Sequence, residues 1–229
     1  MGQFQCLHRE VNIEFCKTHT IDVARRFTGG GTVYHDLGNL NFALCLDQNE
    51  QCVPRTLREL YWNYIGYVAL GLQDIGVMAT YDPDRSCIRV AGKKITGTAG
   101  WIKHGVSFVH GTILVDSDLT ALRESLRVPP GQTIYERQTG KVRCMDSKRD
   151  TVTSVHEQYP EGPTLEEVKE AVVQAIMRLT GREFERGEMT AEERSAAEAL
   201  YRDRYSRSDW NLGVQSQDSD SGPSGDGQP

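Results

Sequence analysis

The segment that most restricts what this chain can become is Arg25-Arg26-Phe27-Thr28-Gly29-Gly30-Gly31-Thr32-Val33-Tyr34-His35-Asp36. Three successive glycines strip every Cβ from one stretch of backbone. Such a chain can approach a ligand closely, adopt positive φ and turn its N–H groups towards an anion. A glycine triplet by itself is usually a tight hairpin. The two arginines before this one and the His-Asp pair after it favour a ligand-contacting loop. It is not a P-loop, since no Lys-Ser/Thr follows at the required place, and it lacks the GxGxxG dinucleotide pattern.

Two further segments have the makings of a site. Ala91-Gly92-Lys93-Lys94-Ile95-Thr96-Gly97-Thr98 sets lysines beside small residues at an expected turn. A lysine ammonium is a compact charge suited to a phosphate or carbonyl, although a lone hairpin lysine is by default only solvated. His110-Gly111-Thr112-Ile113-Leu114-Val115 places a histidine on an expected strand, where a core role is the commoner one.

Around these segments the pattern predicts an α/β chain. Strands are expected over 41–46, 87–90 and 107–115. A helix is expected over 55–75, with Leu57, Leu60, Tyr64, Val68 and Leu72 on one face and Gly76 after its end. Asp118 is placed to cap a short helix. Thr164 with Glu167, and Thr190 with Glu193, form capping boxes that open two more helices. The expected organisation is a catalytic portion over 1–160, a helical extension over 161–213 and a disordered tail over 214–229, which is nearly all Gln, Ser, Asp, Gly and Pro.

Net charge is -6 and the pI is near 5.6, which argues against a general nucleic-acid binder. No apolar run approaches the roughly 20 residues of a membrane span. The six cysteines form no CxxC pair and no signal pattern precedes them, so they read as reduced thiols of a cytoplasmic protein. Cys6, His8, Cys16 and His19 fit no common zinc spacing.

Taken together, the segments resemble the lipoate–protein ligase family. RRFTGGGTVYHDLGNLNF, GKKITGTA and HGTILVDSDL are similar to three ordered motifs of that family. Ser147 to Thr153 resembles the segment that usually ends RVTN, and Tyr205-Ser206 with Asp209-Trp210-Asn211-Leu212-Gly213 resembles the YS-x-x-EWN-x-G ending. The resemblance implies a mixed sheet flanked by helices, as in biotin ligases and class II aminoacyl-tRNA synthetases, with a helical C-terminal extension. It implies joining of lipoate to ATP with Mg²⁺, then transfer of the lipoyl group to a lysine of an acceptor domain. That acceptor would resemble the glycine cleavage H protein or a 2-oxoacid dehydrogenase E2 domain. By position, Lys94 would be the catalytic lysine. Arg26, Gly29, Gly30, Gly31, His35, Thr96, Gly97 and His110 would border the substrate; the metal ligands stay unassigned.

The chain departs from the family pattern in three ways. It begins where the family's sheet is already under way, so an N-terminal piece is expected to be missing. It matches the short form, whose accessory domain is a separate protein. Where the family has an Asn-Asp pair near the metal, it has Asp84-Arg85-Ser86-Cys87, leaving Asp82 or Asp84 as substitutes. Two other functions stay open: a cysteine-dependent octanoyl or lipoyl transferase, for which Cys87 is the nearest cysteine, and a non-catalytic subunit that binds lipoyl groups or their acceptor.

Overall fold

The computed structural model describes residues 1–136 and 144–215. The expected tail over 214–229 therefore lies mostly outside the described residues. Two short helices, α1 (Leu7–Glu10) and α2 (Ile13–Thr18), precede the glycine segment and the strand β1 (Asn39–Asp47). Next come α3 (Leu57–Leu60), a π-helical turn (Tyr61–Ile65) and α4 (Gly66–Asp74). The strands β2 (Ala79–Asp82), β3 (Cys87–Val90), β4 (Lys93–Lys94), β5 (Thr96–Lys103) and β6 (Val106–Leu114) follow. After α5 (Leu119–Ser125) and β7 (Tyr135–Glu136) come α6 (Val155–Gln158), α7 (Leu165–Thr180), α8 (Ala191–Leu200), α9 (Ser208–Asn211) and β8 (Val214–Gln215).

One antiparallel sheet runs in the order β1-β6-β5 and a second in the order β2-β3-β4. Ile95 joins them: its N–H donates to Ile88 O (2.9 Å) and its carbonyl accepts from Leu114 N (2.8 Å). Residues 151–153 run parallel beside Lys94 and make the arrangement mixed. Lys94 N donates to Thr151 O (2.9 Å) and Thr153 N donates to Lys94 O (3.0 Å). The expected strands are all present: 87–90 keeps its bounds, and the other two are displaced at their ends by one or two residues.

The helix read from 55–75 forms in pieces, and its π turn brings Ile65 into the core beside Tyr64. Leu60, Ile65, Val68 and Leu72 pack with Ile88, Ile95 and Ile113 of the sheets and with Val168, Val172 and Ile176 of α7. α7, expected in a separate helical extension, thus shares the main core with the sheets and α4. It opens on the Thr164–Glu167 capping box and closes on left-handed Gly181. The α4–α7 crossing is close because Gly71 faces Ala171 and Ala175; a Cβ on Gly71 would lie 2.7 Å from Ala171 O. α8 opens on its own capping box and has no buried residue.

The C-terminal motif folds back on the glycine segment. Trp210 Nε1 donates to Arg25 O, Arg25 Nε donates to Trp210 O, and Arg25 N donates to Asn211 Oδ1, each at 2.9 Å. The buried guanidinium of Arg25 also donates to the carbonyls of Gly2 (3.0 Å) and Gln5 (2.7 Å). One arginine therefore fastens the first and last described segments together.

The cysteines differ from expectation. Cys6 and Cys144 are joined in a disulfide, while Cys16, Cys45, Cys52 and Cys87 are free. The partners lie 138 residues apart, a separation at which no local spacing signals a pair. Among the described residues, no helix is long and apolar enough to cross a membrane.

Candidate active site

The glycine segment forms one wall of a cleft of about 1180 Å³. Arg26 shapes that wall. Its Nη2 donates to the carbonyls of Gly29 (2.7 Å) and Gly31 (2.8 Å), and its Nε donates to Thr28 Oγ1 (3.1 Å). Drawing two carbonyls to one guanidinium turns the peptides between them, and Gly30 sits at φ +87°, a region that penalises any Cβ. Among the described residues, no protein group accepts from the N–H of Gly30 or Gly31. Burial draws Arg26 down to about 10, so it remains a cation at neutral pH.

Two histidines stand beside this cation. His110, on β6, meets Thr28 Oγ1 through Nε2 at 2.8 Å. Burial, then the positive Arg26 and the neighbouring His35, push His110 down to about 4. His35 is lowered too, first by burial and then by nearby positive charge that includes Arg26. Both imidazoles are therefore neutral at pH 7 and act there as hydrogen-bonding, weakly polar surfaces. Phe27 and Phe108 (centroids 5.4 Å apart) continue this side, and Phe108 leans on His110 (5.3 Å).

The opposite side is basic. Arg85, Lys93, Lys94, Lys148 and Arg149 line it. Lys94 is held by backbone on both flanks, paired with Arg89 on one side and with residues 151–153 on the other. Its stem therefore springs from a rigid base. Lys93 lines the cleft as well, although simple strand alternation would send it away from Lys94. Asp82 and Asp150 are taken up by Arg89, at 2.7 and 2.8 Å, and both carboxyls are held below their usual range, chiefly by hydrogen bonds from Arg89.

Of the residues singled out from sequence, Arg26, Gly30, Gly31, His35, Lys94, Gly97 and His110 line this one cleft. Gly97 is needed for packing: a Cβ there would meet Val33 Cγ1 at 2.8 Å. Gly29 enters through its carbonyl, bound to Arg26. Thr96 is buried and its Oγ1 accepts from Ile88 N (2.7 Å), so its hydroxyl serves the junction between the sheets. Sequence reasoning missed Gln5, Glu10 and the role of Ser147, which meet beneath the glycine loop. Their only local signal was an acidic and an amide residue close to the start, near no recognisable partner.

Cys87 is fully buried on β3, outside the cleft lining, and burial pushes its thiol up. Both properties oppose nucleophilic use. Among the described residues, no group of three His, Cys, Asp or Glu side chains could hold a metal ion. Asp82 is committed to Arg89 and to the N–H groups of Asp84 and Arg85, whereas Asp84 lines the cleft.

A glycine-walled cleft that is basic on one side and aromatic on the other has the chemistry to take a ligand with an apolar body and an anionic group. The chain belongs to the lipoyl protein ligase A/B catalytic domain family, which matches residues 1–177. It is 31% identical to lipoate-protein ligase A subunit 1 of Thermoplasma acidophilum over 93% of this chain and 80% of that protein. It is 28% identical to octanoyltransferase LipM of Geobacillus kaustophilus over 93% of this chain and 81% of the relative. Among solved structures it is similar to a lipoate protein ligase of T. acidophilum with bound lipoic acid (TM-score 0.78, 26% identity, 93% of this chain and 81% of the other). It is also similar to a lipoate-protein ligase A bound with ATP (0.76, 27%, 93% and 81%). A third similar structure comes from a study of a bi-partite lipoate protein ligase and its E2 lipoyl domain in T. acidophilum (0.77, 27%, 96% and 81%).

Proposed function

We propose that this chain is a lipoate–protein ligase, which joins lipoate to ATP as lipoyl-AMP and then passes the lipoyl group to a lysine of an acceptor domain. The observation that carries this reading is Lys94, rigidly based and facing the cleft whose other wall is the Arg26-tied glycine loop. In the first step a lipoate carboxylate oxygen attacks the α-phosphorus, and pyrophosphate leaves with the bonding pair. Negative charge grows on the phosphorus-bound oxygens. The Lys94 ammonium and the Gly30 and Gly31 N–H groups are suited to stabilise it, and because they are fixed beforehand they lower the barrier rather than only tightening binding. The aromatic side, with two neutral histidines, suits the apolar acyl chain.

In the second step the acceptor's amine attacks the acyl carbonyl and AMP leaves. No enzyme nucleophile is required, which agrees with a buried Cys87 and favours the ligase over a cysteine-dependent transferase. A magnesium ion arriving with the phosphates needs only one or two protein carboxylates. Asp84 would hold it, and the ion would neutralise phosphate charge. An E2-like or H-protein-like lysine is the proposed acceptor, and a separate accessory polypeptide is the proposed partner; the bi-partite T. acidophilum ligase, studied with its E2 lipoyl domain, supports the accessory partner and the E2-like acceptor.

Lipoate-dependent pyrophosphate exchange, with the accessory polypeptide present, tests the reading. Lys94→Ala should lower exchange by about 100-fold or more, the scale of removing one group that stabilises transition-state charge. Lys93→Ala should cost about ten-fold or less, the loss of a more general phosphate attraction. Equal losses would remove Lys94 from its proposed role, and transfer from an acyl carrier without ATP would favour the transferase.

A further inference from the structure

Beneath the glycine loop lies a hydrogen-bond chain that fixes the loop: Thr32 and Ser147 line the cleft, while Glu10 and Gln5 behind them do not. Glu10, at the end of α1, is only 1% exposed and does not line the cleft. Its Oε1 accepts from Ser147 N (2.7 Å), its Oε2 accepts from the Ser147 hydroxyl, and Arg149 Nη2 lies 3.4 Å from the same oxygen. Ser147 Oγ in turn accepts from Gln5 Nε2 and from Thr32 N, both at 2.9 Å. A hydroxyl has one proton to give and two lone pairs. All three are used here, so the oxygen cannot rotate without breaking a bond.

Thr32 N is the first amide after the glycine triplet. The loop is thus held from two sides, by Arg26 on the carbonyls of Gly29 and Gly31 and by Ser147 on the amide of Thr32. Gly31 is pressed against the same hydroxyl, since a Cβ there would lie 2.9 Å from Ser147 Oγ. The residues directly after Ser147 are Lys148 and Arg149, which line the basic side of the cleft. Ser147 therefore sets the gap between the glycine wall and the basic strand.

We propose that Glu10, acting through Ser147, is a positioning residue that sets the width of the acyl-adenylate pocket. This rests on the ligase reading above. A buried carboxylate is costly unless its oxygens are satisfied. Here it orients one hydroxyl so that the lone pairs, not the proton, face Thr32 and Gln5. Glu10→Gln keeps the length but can offer an amide N–H where the hydroxyl proton now goes, which forces Ser147 to turn. Ser147→Ala removes the acceptor of Thr32 N altogether.

The test compares wild type, Glu10→Gln, Ser147→Ala and the double variant. Two quantities are read: affinity for a non-hydrolysable lipoyl-adenylate analogue by calorimetry, and hydrogen exchange at the Thr32 amide. Each single variant should weaken the analogue by about ten-fold, the usual effect of one unmade hydrogen bond, and should speed Thr32 exchange by a similar factor. The double variant should be no worse than Ser147→Ala, because both changes act along one chain. A merely structural glutamate predicts instead lowered thermal stability with unchanged affinity in the folded fraction. That result, or losses that multiply in the double variant, would overturn the proposal. Should Glu10→Gln fail to fold, Glu10→Asp, which withdraws the carboxylate by one methylene, takes its place with the same expectation. A wild-type chain that binds no analogue would sink the ligase reading. Thr32 exchange then still decides the coupling, and an unchanged rate in Ser147→Ala would refute it.

Discussion

A half-buried histidine near a cation makes the stability of the fold sensitive to pH. His110 titrates near 4 in the folded chain and near 6.5 when unfolded. Between those values the unfolded state binds more protons, so stability rises with pH across that window. The contribution is present in full above about 6.5 and is lost as pH falls towards about 4, amounting to roughly 1–2 kcal/mol after discounting for solvent in the cleft. His110→Gln can still bond Thr28 but cannot titrate. Its urea unfolding free energy should therefore fall less steeply than wild type between pH 6.5 and 4.5; an unchanged slope would mean that His110 does not gain a proton on unfolding. At this scale the motifs were informative because their residues are neighbours in sequence: Arg26, Gly30 and Gly31 shape one another within six positions. Thr96 looked equally ligand-like in a run of small polar residues, yet its hydroxyl is taken by Ile88 N. The Glu10–Ser147–Thr32 chain could not be read at all, because its members are far apart in sequence.

The elements were legible where apolar spacing and end signals agreed. Thr164, Thr190 and Asp118 each cap the helix expected of them. Ser154, which the sequence did not single out, caps α6: its Oγ accepts from Glu157 N (3.1 Å), and serine is a good N-cap residue. The π turn over 61–65 was not legible, since one extra residue per turn leaves no mark in composition. Gly71 carries an element-scale prediction. Within a helix, valine has an intrinsic advantage over glycine of about 0.5 kcal/mol. Against that, its Cβ at position 71 would press on Ala171 O and Ala175 Cβ, and overpacking costs about 1–3 kcal/mol. Gly71→Val should therefore destabilise. Gly66→Ala, in the same helix with nothing within 4 Å of its Cβ, should stabilise by about 0.5–1 kcal/mol. Denaturant unfolding of the two variants decides it, and changes of the same sign would show that propensity, not the α4–α7 contact, governs both.

On the scale of the whole molecule, the segments at 1–10, 25–32, 144–151 and 208–213 meet around the cleft, and their contacts span most of the chain. Arg25 ties the first and last of them. The seam between 4–10 and 144–149 has Met145 N to Phe4 O (3.1 Å), Arg9 to Asp146 (2.6 Å), the Glu10–Ser147 bonds and the Cys6–Cys144 disulfide. The Arg9–Asp146 pair is well exposed and adds about 1 kcal/mol at most. The disulfide acts differently, by restricting the unfolded chain, and its effect grows with the enclosed length. A bond spanning 138 residues is expected to contribute about 2–4 kcal/mol. For a chain of this size that corresponds to roughly 5–15 °C in unfolding midpoint. The other seam bonds remain when it opens, so reduction should lower the midpoint without abolishing binding of an adenylate analogue. Two measurements check this. Alkylation in denaturant without reductant should label the four free cysteines and leave Cys6 and Cys144 unlabelled. Thermal unfolding should shift down on adding a dithiol reductant in wild type but not in Cys6→Ser, whose midpoint should already be low. Six alkylated thiols, or a reductant shift that persists in Cys6→Ser, would mean that the seam is held by its hydrogen bonds and ion pair alone.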